Sequence, residues 1–337
     1  MKGIYFILLL CILFSCNNNN IPDVSNIKIE LKVQRFEKDF FSIDTNNILN
    51  ELQRLRIKYS YFINDFTKQI LGFNGNTPPD SLTKYLHLFI RDYRFVKDSA
   101  DKLFVDFEPQ AKEIKKGLQF VKYYFPEYKA PSKIITFIGP FDGYSDVITS
   151  DAFAVGLQLH MGSNFSFYKS DISRDIFPEY ISKKFTPEYI PVNCIKNIVD
   201  DMHPDNSVGK ALIEQMVEKG KRLYLLDKFL PHTAEHLKIG YTETQLKDSY
   251  TNEAIIWDFF LNNGLLNNSD QNIVKNYIGE SPKTQELGEG SPGNIGAFSG
   301  WQIVKKYMSK NSKISLQELM QKDSREIYSQ SKYKPRS

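Results

Sequence analysis

Cysteine is scarce in this sequence. Only three of the 337 residues are Cys, namely Cys11, Cys16 and Cys194. The first two lie within or at the end of an N-terminal apolar run, so Cys194 is the one cysteine in the body of the chain. This excludes an intramolecular disulfide in a processed protein, whose fold must then be stabilised by packing alone. The mostly apolar neighbours of Cys194 predict a buried, unreactive thiol.

An excess of charge is also missing. The sequence has 43 Lys and Arg against 40 Asp and Glu, a formal net charge of +3. No dense basic patch occurs, which argues against nucleic acid as a partner. Trp is scarce, with 2 residues, whereas 25 Phe and 19 Tyr supply many large rings. Such rings are usually buried, although tyrosine can reach water with its hydroxyl.

No apolar run is long enough to span a membrane. The run from Ile4 to Leu13 follows Lys2, which is the layout of a secretory signal. It leads into the tetrad Leu-Phe-Ser-Cys at 13–16, which resembles a bacterial lipobox, and residues 17–20 are all Asn. The alternative is an ordinary signal peptide with a chance cysteine.

From the lipobox we predict cleavage before Cys16, acylation of its sulfur and amino group with palmitate-type chains, and a membrane anchor at this residue. Residues 1–15 are then a lipoprotein signal peptide. Residues 16–26 form a flexible tether, and residues 27–337 form a single globular domain.

Hydrophobic periodicity predicts an α+β fold, predominantly helical, with a small central antiparallel or mixed sheet. The expected strands are at 27–33, 133–140, 146–150 and 152–159, and the last three could form a meander. The expected helices are at 46–70, 80–105, 108–125, 186–203, 207–226, 243–265, 268–277, 299–309 and 314–330.

Strong catalytic signatures are absent, since the sequence has no GxSxG, CxxC or HExxH motif. The sharpest remaining motif is His-Thr-Ala-Glu-His at 232–236, the H-x-x-E-H arrangement of inverted zinc peptidases. It would place His232 and His236 as metal ligands and Glu235 as general base. Pro231 precedes it, however, and the segment predicts at most one helical turn, so we interpret the match as a coincidence.

Other polar groups have plainer interpretations. Asp200, Asp201 and His203 could bind a divalent cation, but a polar helix end that runs into a turn also accounts for them. His87 and His160 have apolar neighbours and are predicted to be structural histidines.

Two loops are rich in turn residues. Asp142, Asp146 and Asp151 are interpreted as turn carboxylates, because Asp accepts hydrogen bonds from its own turn backbone. Residues 288–296 are dense in glycine and lead into a helix at Trp301, which could bind an anion at the helix N-terminus. The segment lacks P-loop spacing, so a tight packing corner is the favoured interpretation. No cofactor or metal ligand set is predicted.

Several stretches together resemble one family. These are residues 33–41, 123–126, 212–224, 239–245, 252–260, 291–296, 300–304 and 331–335. Their order and number resemble the gliding-motility lipoprotein GldB family of Bacteroidota, over nearly the whole mature chain. The resemblance implies a cell-envelope lipoprotein required for gliding and for the associated secretion machinery, with other envelope proteins of that machinery as partners.

The family is in turn distantly similar to gluzincin-like zinc peptidases, with H-E-x-x-H on one helix and an acidic ligand on the next. Here the first helix carries Val-Asn-Cys-Ile-Lys at 192–196, without a pair of histidines. The second has Lys219-Gly220 where Glu-Gly is expected, with Glu218 one place early. The resemblance therefore implies a degenerate peptidase-like fold without enzymatic activity.

Three functions follow as hypotheses. The preferred one is a non-enzymatic envelope lipoprotein that scaffolds or stabilises the gliding machinery. The alternatives are a zinc hydrolase that uses residues 232–236 and a periplasmic module that binds glycan or peptide through its aromatic residues. Asn17 is not the acidic residue typical of inner-membrane retention, which favours the outer membrane. No acidic cluster follows Cys16, which favours a periplasm-facing position.

Overall fold

A computed structural model describes residues 21–150 and 152–335. Its one sheet among these residues has four strands: β1 (Lys32–Arg35), β2 (Lys133–Phe137), β3 (Asp146–Ile148) and β4 (Ala152–Gly156). The order across the sheet is β1-β2-β4-β3, with β1, β2 and β4 parallel and β3 antiparallel to β4. The predicted mixed sheet inside an α+β fold is confirmed.

The strand order corrects the predicted meander. β4 lies between β2 and β3 and pairs in parallel with β2, from Lys133 opposite Ala152 to Phe137 opposite Gly156. Every residue of β4 is buried, as expected of a strand with neighbours on both edges. The three partly exposed residues of β3 form an edge. The predicted first strand also begins late, because sheet pairing starts only at Lys32.

The N-terminal half is otherwise helical. Its helices are α1 (Phe36–Phe40), α2 (Ile48–Lys58), α3 (Phe62–Asp65) with a π-helical turn at Phe66–Ile70, α4 (Pro79–Asp92), α5 (Arg94–Leu103) and α6 (Glu108–Tyr124). The predicted helix at 80–105 is broken at Tyr93. The Tyr93 ring stacks on Phe89 and Phe141, with centroids 4.3 and 5.4 Å apart. The break is thus fixed by tertiary aromatic packing.

The C-terminal half contains the longest helices. They are α7 (Asp171–Ile176), α8 (Glu179–Ser182), α9 (Tyr189–Met202), α10 (Leu212–Phe229), α11 (Glu235–Ile239), α12 (Glu243–Thr251), α13 (Glu253–Asn262), α14 (Gln271–Ile278), α15 (Ile295–Lys310), α16 (Leu316–Gln321) and α17 (Ser324–Ser331). Short 3-10 turns lie at Leu157–Leu159, Ser166–Lys169, Leu265–Asn267 and Gln285–Leu287. α15 begins at Ile295, earlier than predicted, because Asn294 takes the left-handed conformation (φ +56°) and starts the helix there.

Helices α10 and α15 cross at two glycines. A Cβ atom on Gly220 would lie 2.2 Å from the carbonyl oxygen of Gly300, and one on Gly300 would lie 1.7 Å from that of Met216. The two backbones are therefore in direct contact, which only residues without a side chain allow. The neighbouring Trp301 is fully buried as a result.

A buried lysine joins this helix pair to the C-terminus. Lys221 on α10 is 1% exposed, and its Nζ lies 2.7 Å from Glu218. It also donates to the carbonyl oxygens of Met320 and Lys322, at 3.3 and 3.0 Å. Glu218 in turn accepts from Ser324 at 2.7 Å. The side-chain charge is thus fully paired, as burial requires.

Most aromatic rings are in the core, as the composition predicts. Phe36, Phe40, Phe62 and Phe66 are almost fully buried and form one cluster with Phe137 of β2, in which most of the ring contacts are edge-to-face. In the part of the chain that the structure describes, no helix has the length and apolar character needed to cross a membrane.

Candidate functional site

The structure places the predicted site residues in different parts of the molecule. Cys16, the predicted lipidation site, lies outside the described residues, as does Asp151. Cys194 is fully buried on α9, as predicted. Burial, and then the charge of Asp146, raise the pKa of its thiol, so it stays protonated and unreactive. His87 is exposed on α4, which corrects its assignment as a structural histidine.

The H-x-x-E-H motif does not form one helical face. α11 begins at Glu235, so His232 lies in the turn before it. Glu235 accepts from Lys305 at 2.6 Å and from Tyr250 at 2.8 Å. Burial raises the pKa of Glu235, but these two partners outweigh burial and lower it. Its carboxylate is thus engaged by a lysine instead of facing the histidines.

The polar residues at the C-terminal end of α9 do not converge on one site either. Asp200 binds Arg222 at 3.0 Å, and Asp201 accepts from Tyr128 at 2.7 Å. The His203 ring packs against another aromatic ring, and burial lowers its pKa. The three residues have separate partners, as expected for a polar helix end. Across the described residues, no three or more His, Cys, Asp or Glu side chains converge as metal ligands.

Asp146 is a buried hydrogen-bond acceptor, which corrects its assignment as a turn carboxylate. Its side chain is 2% exposed and lies 2.8 Å from Nε2 of His160, which is 1% exposed. The carboxylate also accepts from Asn193 at 2.7 Å and from Ser145 at 2.9 Å. Nδ1 of His160 faces the carbonyl oxygen of Thr186 at 3.2 Å. Both ring nitrogens of His160 thus face oxygen atoms of neighbouring residues.

Two asparagines on α9 complete this arrangement. Asn193 donates to the Asp146 carboxylate, and Asn197, one helical turn later, donates to the Asp146 carbonyl oxygen at 2.9 Å. The i, i+4 spacing places both side chains on the face of α9 that packs against β3. A metal-binding helix presents two imidazoles with this spacing, whereas this helix presents two amides that bind its own sheet.

Three adjoining cavities lie beside this arrangement, and we call them together the central cleft. The outer cavity, about 640 Å³, is lined by residues from 178–189, 236–245, 280–282 and 292–294. The middle cavity, about 170 Å³, lies over His160 and Asn193. The inner cavity, about 480 Å³, lies between α9, α10 and α11 and the first turn of α15. Ile239 and Glu280 line all three.

The glycine-dense segment borders the outer cavity but packs tightly. A Cβ atom on Gly293 would lie 2.0 Å from the carbonyl oxygen of Ser281. One on Gly296 would lie 2.9 Å from that of Tyr277. The segment is therefore a packing corner, as predicted from its sequence.

Comparison with known proteins identifies the family. The profile of the family described as gliding motility protein GldB matches residues 17–335, nearly the whole chain. The chain belongs to the GldB family. No curated protein and no solved structure matches it.

Membership of the GldB family makes the protein a lipoprotein of the gliding apparatus. The match begins at residue 17, directly after Cys16, whose lipidation stays a prediction. The gluzincin-like fold has no solved relative among the comparisons and stays a prediction.

Neither the Asp146–His160 pair nor the central cleft could be predicted from the sequence. The pair joins residues 14 positions apart, and its asparagine partners are 47 and 51 positions from Asp146. One signal was available, because Asn193 and Asn197 are polar residues at helical spacing in a segment, 190–199, where Lys196 is the only other charged or amide side chain. Polar residues on a buried helical face need partners, which the sequence did not identify.

Proposed function

We propose that this protein is a non-catalytic, lipid-anchored component of the gliding machinery, one that scaffolds or stabilises other envelope proteins. One observation carries the proposal. On α9, the segment 192–196 that the resemblance places at the H-E-x-x-H position carries no histidine, and Asn193 and Asn197 both donate to Asp146. These two amides therefore bond to the sheet, and neither supplies the imidazole that a zinc ligand on this helix would need.

The anchor is the second part of the proposal. Acyl chains on Cys16 hold the protein on the membrane, since several chains give stable binding where one gives only marginal binding. The neutral Asn17 favours the outer membrane, and the lack of an acidic cluster after Cys16 favours a periplasm-facing domain. The polar segment after Cys16 then separates the lipid from the fold, whose first core residue within the described part of the chain is Val24.

A chromosomal deletion tests the role in gliding. We expect the deletion strain to lose gliding and the Cys16→Ala strain to release the protein from the membrane fraction. An Asn17→Asp strain is the matched control for the anchor, because it keeps the lipid but carries the acidic residue of inner-membrane retention. Gliding that persists after clean deletion contradicts the proposal.

The scaffolding part has its own test. Crosslinking and pull-down from the envelope of the parent strain should recover gliding proteins, whose amounts should fall in the deletion strain. A zinc hydrolase is the competing function, and it predicts stoichiometric zinc that disappears in a His232→Ala, His236→Ala double variant. Stoichiometric zinc together with a gliding defect in that variant would favour the hydrolase.

A further inference from the structure

The backbone of the edge strand β3 points two residues away from the sheet. The N–H of Thr149 and the C=O of Ser145 both bond to β4, at 2.8 and 2.7 Å. In an antiparallel pair the residues that bond across alternate with residues that do not. The backbone groups of Asp146 and Ile148 therefore point outwards, on the side opposite β4.

Three of these four outward groups lack a partner. The carbonyl oxygen of Asp146 accepts from Asn197 at 2.9 Å. No residue at 21–150 or 152–335 bonds to the N–H of Asp146 or to the N–H and C=O of Ile148. An extended chain that runs antiparallel to β3 would bond to both groups of Ile148 and accept from the N–H of Asp146. Unpaired edge groups of this kind are a template for one further strand.

The two edge strands of the sheet differ in their charge. β1, the other edge strand, begins with Lys32 and ends with Arg35. Charged side chains on an edge discourage pairing with another chain. β3 contains no Lys and no Pro, and its one charged side chain, Asp146, is 2% exposed and bonded to His160. Of these two edges, β3 is therefore the one suited to pairing.

A groove of about 500 Å³ lies beside β3. It is lined by Val147 and Ile148 of β3, by Tyr61 and Ile70 from the segment that contains α3, and by Tyr144. Tyr61 is 64% exposed and Tyr144 is 53% exposed, so both rings are free to cover a bound chain. Side chains of a strand point to one face at alternate positions, and apolar ones at that spacing fit this groove.

We propose that β3 binds an extended segment of another protein, which adds to the sheet as a fifth, antiparallel strand with alternate apolar side chains in this groove. A second copy of the chain is the other possible occupant. β3 has only three residues, so two copies paired at this edge alone would bury far less than the roughly 1,200 Å² of a stable dimer. The proposal offers a contact surface for scaffolding but does not rest on that role, because binding is measured on the purified protein.

Fluorescence anisotropy tests the proposal on the full chain in detergent, with a labelled octapeptide in which Val and Thr alternate. Two further peptides carry N-methyl groups on all odd or on all even residues, which removes the N–H groups along one edge of the peptide strand. We expect one N-methylated peptide to bind at least about tenfold more weakly, because it has lost the bonds to β3. The other should bind like the unmethylated peptide, since strand addition uses only one edge.

Two substitutions at Ile148 form a matched pair. Ile148→Pro removes the outward N–H, which an edge strand tolerates, and should weaken binding of the unmethylated peptide about tenfold. Ile148→Thr keeps the N–H and a β-branched side chain, so its affinity should stay within about twofold of the parent. Circular dichroism checks the fold of both variants, and the N-methylated peptides test the parent protein independently of them.

Three binding results would overturn the proposal: no binding of the unmethylated peptide, equal binding of the two N-methylated peptides, or equal affinity of folded Ile148→Pro and Ile148→Thr proteins. Sedimentation of the protein alone tests the other occupant. We expect a monomer, whereas a dimer that Ile148→Pro dissociates would overturn the proposal, because a second copy would then occupy the edge.

Discussion

Nε2 of His160 lies 2.8 Å from Oδ2 of Asp146, and both side chains are excluded from solvent. The hydrogen bond between them joins the edge strand β3 to the segment that follows β4. Asn193 and Asn197 extend the contact to α9, and Thr186 holds the far side of the imidazole. One carboxylate thus joins the sheet edge, a loop and a helix beside the central cleft.

Removal of this carboxylate should be costly. Asp146→Ala leaves His160 and the Asn193 amide buried without an acceptor, so we expect the free energy of unfolding to fall by about 3–5 kcal/mol. Urea unfolding followed by Trp fluorescence measures it, since Trp257 and Trp301 are both buried. Asp142→Ala removes an exposed carboxylate nearby, and its effect should stay within about 0.5 kcal/mol. Equal stability of the two variants would contradict a structural role for the pair.

The contact of Gly220 with Gly300 between α10 and α15 predicts how an alanine at either position changes the free energy of unfolding. An alanine at an open helical position stabilises by about 1 kcal/mol relative to glycine. At Gly220 or Gly300 the new methyl group would meet backbone atoms at 2.2 or 1.7 Å, so the helices must separate. We expect Gly300→Ala to lower the unfolding free energy by about 3 kcal/mol.

Gly75→Ala is the control for this experiment, because nothing lies within 4 Å of the added methyl group. Thermal unfolding of the three proteins, including the parent, gives the comparison. A Gly300→Ala protein as stable as Gly75→Ala would show that the two helices can move apart freely.

Two lysines of α10 that lie two positions apart allow a matched test of burial. The side chain of Lys221 is 2% exposed and paired with Glu218, whereas that of Lys219 is 37% exposed and paired with Asp205. Lys221→Met should cost about 1–3 kcal/mol, because the partly buried Glu218 loses its cation and the carbonyl oxygens of Met320 and Lys322 lose a donor. Lys219→Met should cost less than about 1 kcal/mol.

Hydrogen exchange adds a local readout to the lysine experiment. Lys221 also holds the carbonyl oxygens of Met320 and Lys322, so the Lys221→Met protein should exchange faster at α16 and α17. Unchanged exchange in these helices would mean that Lys221 does not hold the C-terminus.

Asp205 predicts a dependence of stability on pH. Burial raises its pKa, but hydrogen bonds from Ser207 and the charge of Lys219 outweigh burial and lower the pKa from 3.8 to about 2. The folded state therefore binds a proton less readily than the unfolded state. The stabilisation is complete above about pH 4 and is lost as the pH falls towards about 2.

An Asp205→Asn variant isolates this contribution. The parent should be more stable than the variant at pH 5, and the difference should shrink between about pH 4 and pH 2. Urea unfolding at several pH values measures it. A difference that stays constant over this range would show that Asp205 has the same pKa in the folded and unfolded states.

Local patterns predicted much of the secondary structure. The apolar runs located β2 and β4, and helical periodicity located α6, α9 and α10 to within a few residues. Prediction of the secondary structure and of the strand pairing failed where contacts between residues far apart in sequence determine them. The break at Tyr93 comes from stacking on Phe141, 48 positions away, and the parallel pairing of β2 with β4 depends on how the intervening chain folds back.

The sequence by itself determined the burial of Cys194 and the helix-rich class of the fold, and it predicts an export signal with a lipobox at Cys16, because each follows from residues that are neighbours in the chain. Only the tertiary structure decided that Asp146 is buried, that Gly220 meets Gly300, and that Tyr61 lines one groove with β3. Those relationships depend on the packing of elements far apart in sequence, and hydrophobic periodicity specifies which face of an element is buried but not what it is buried against.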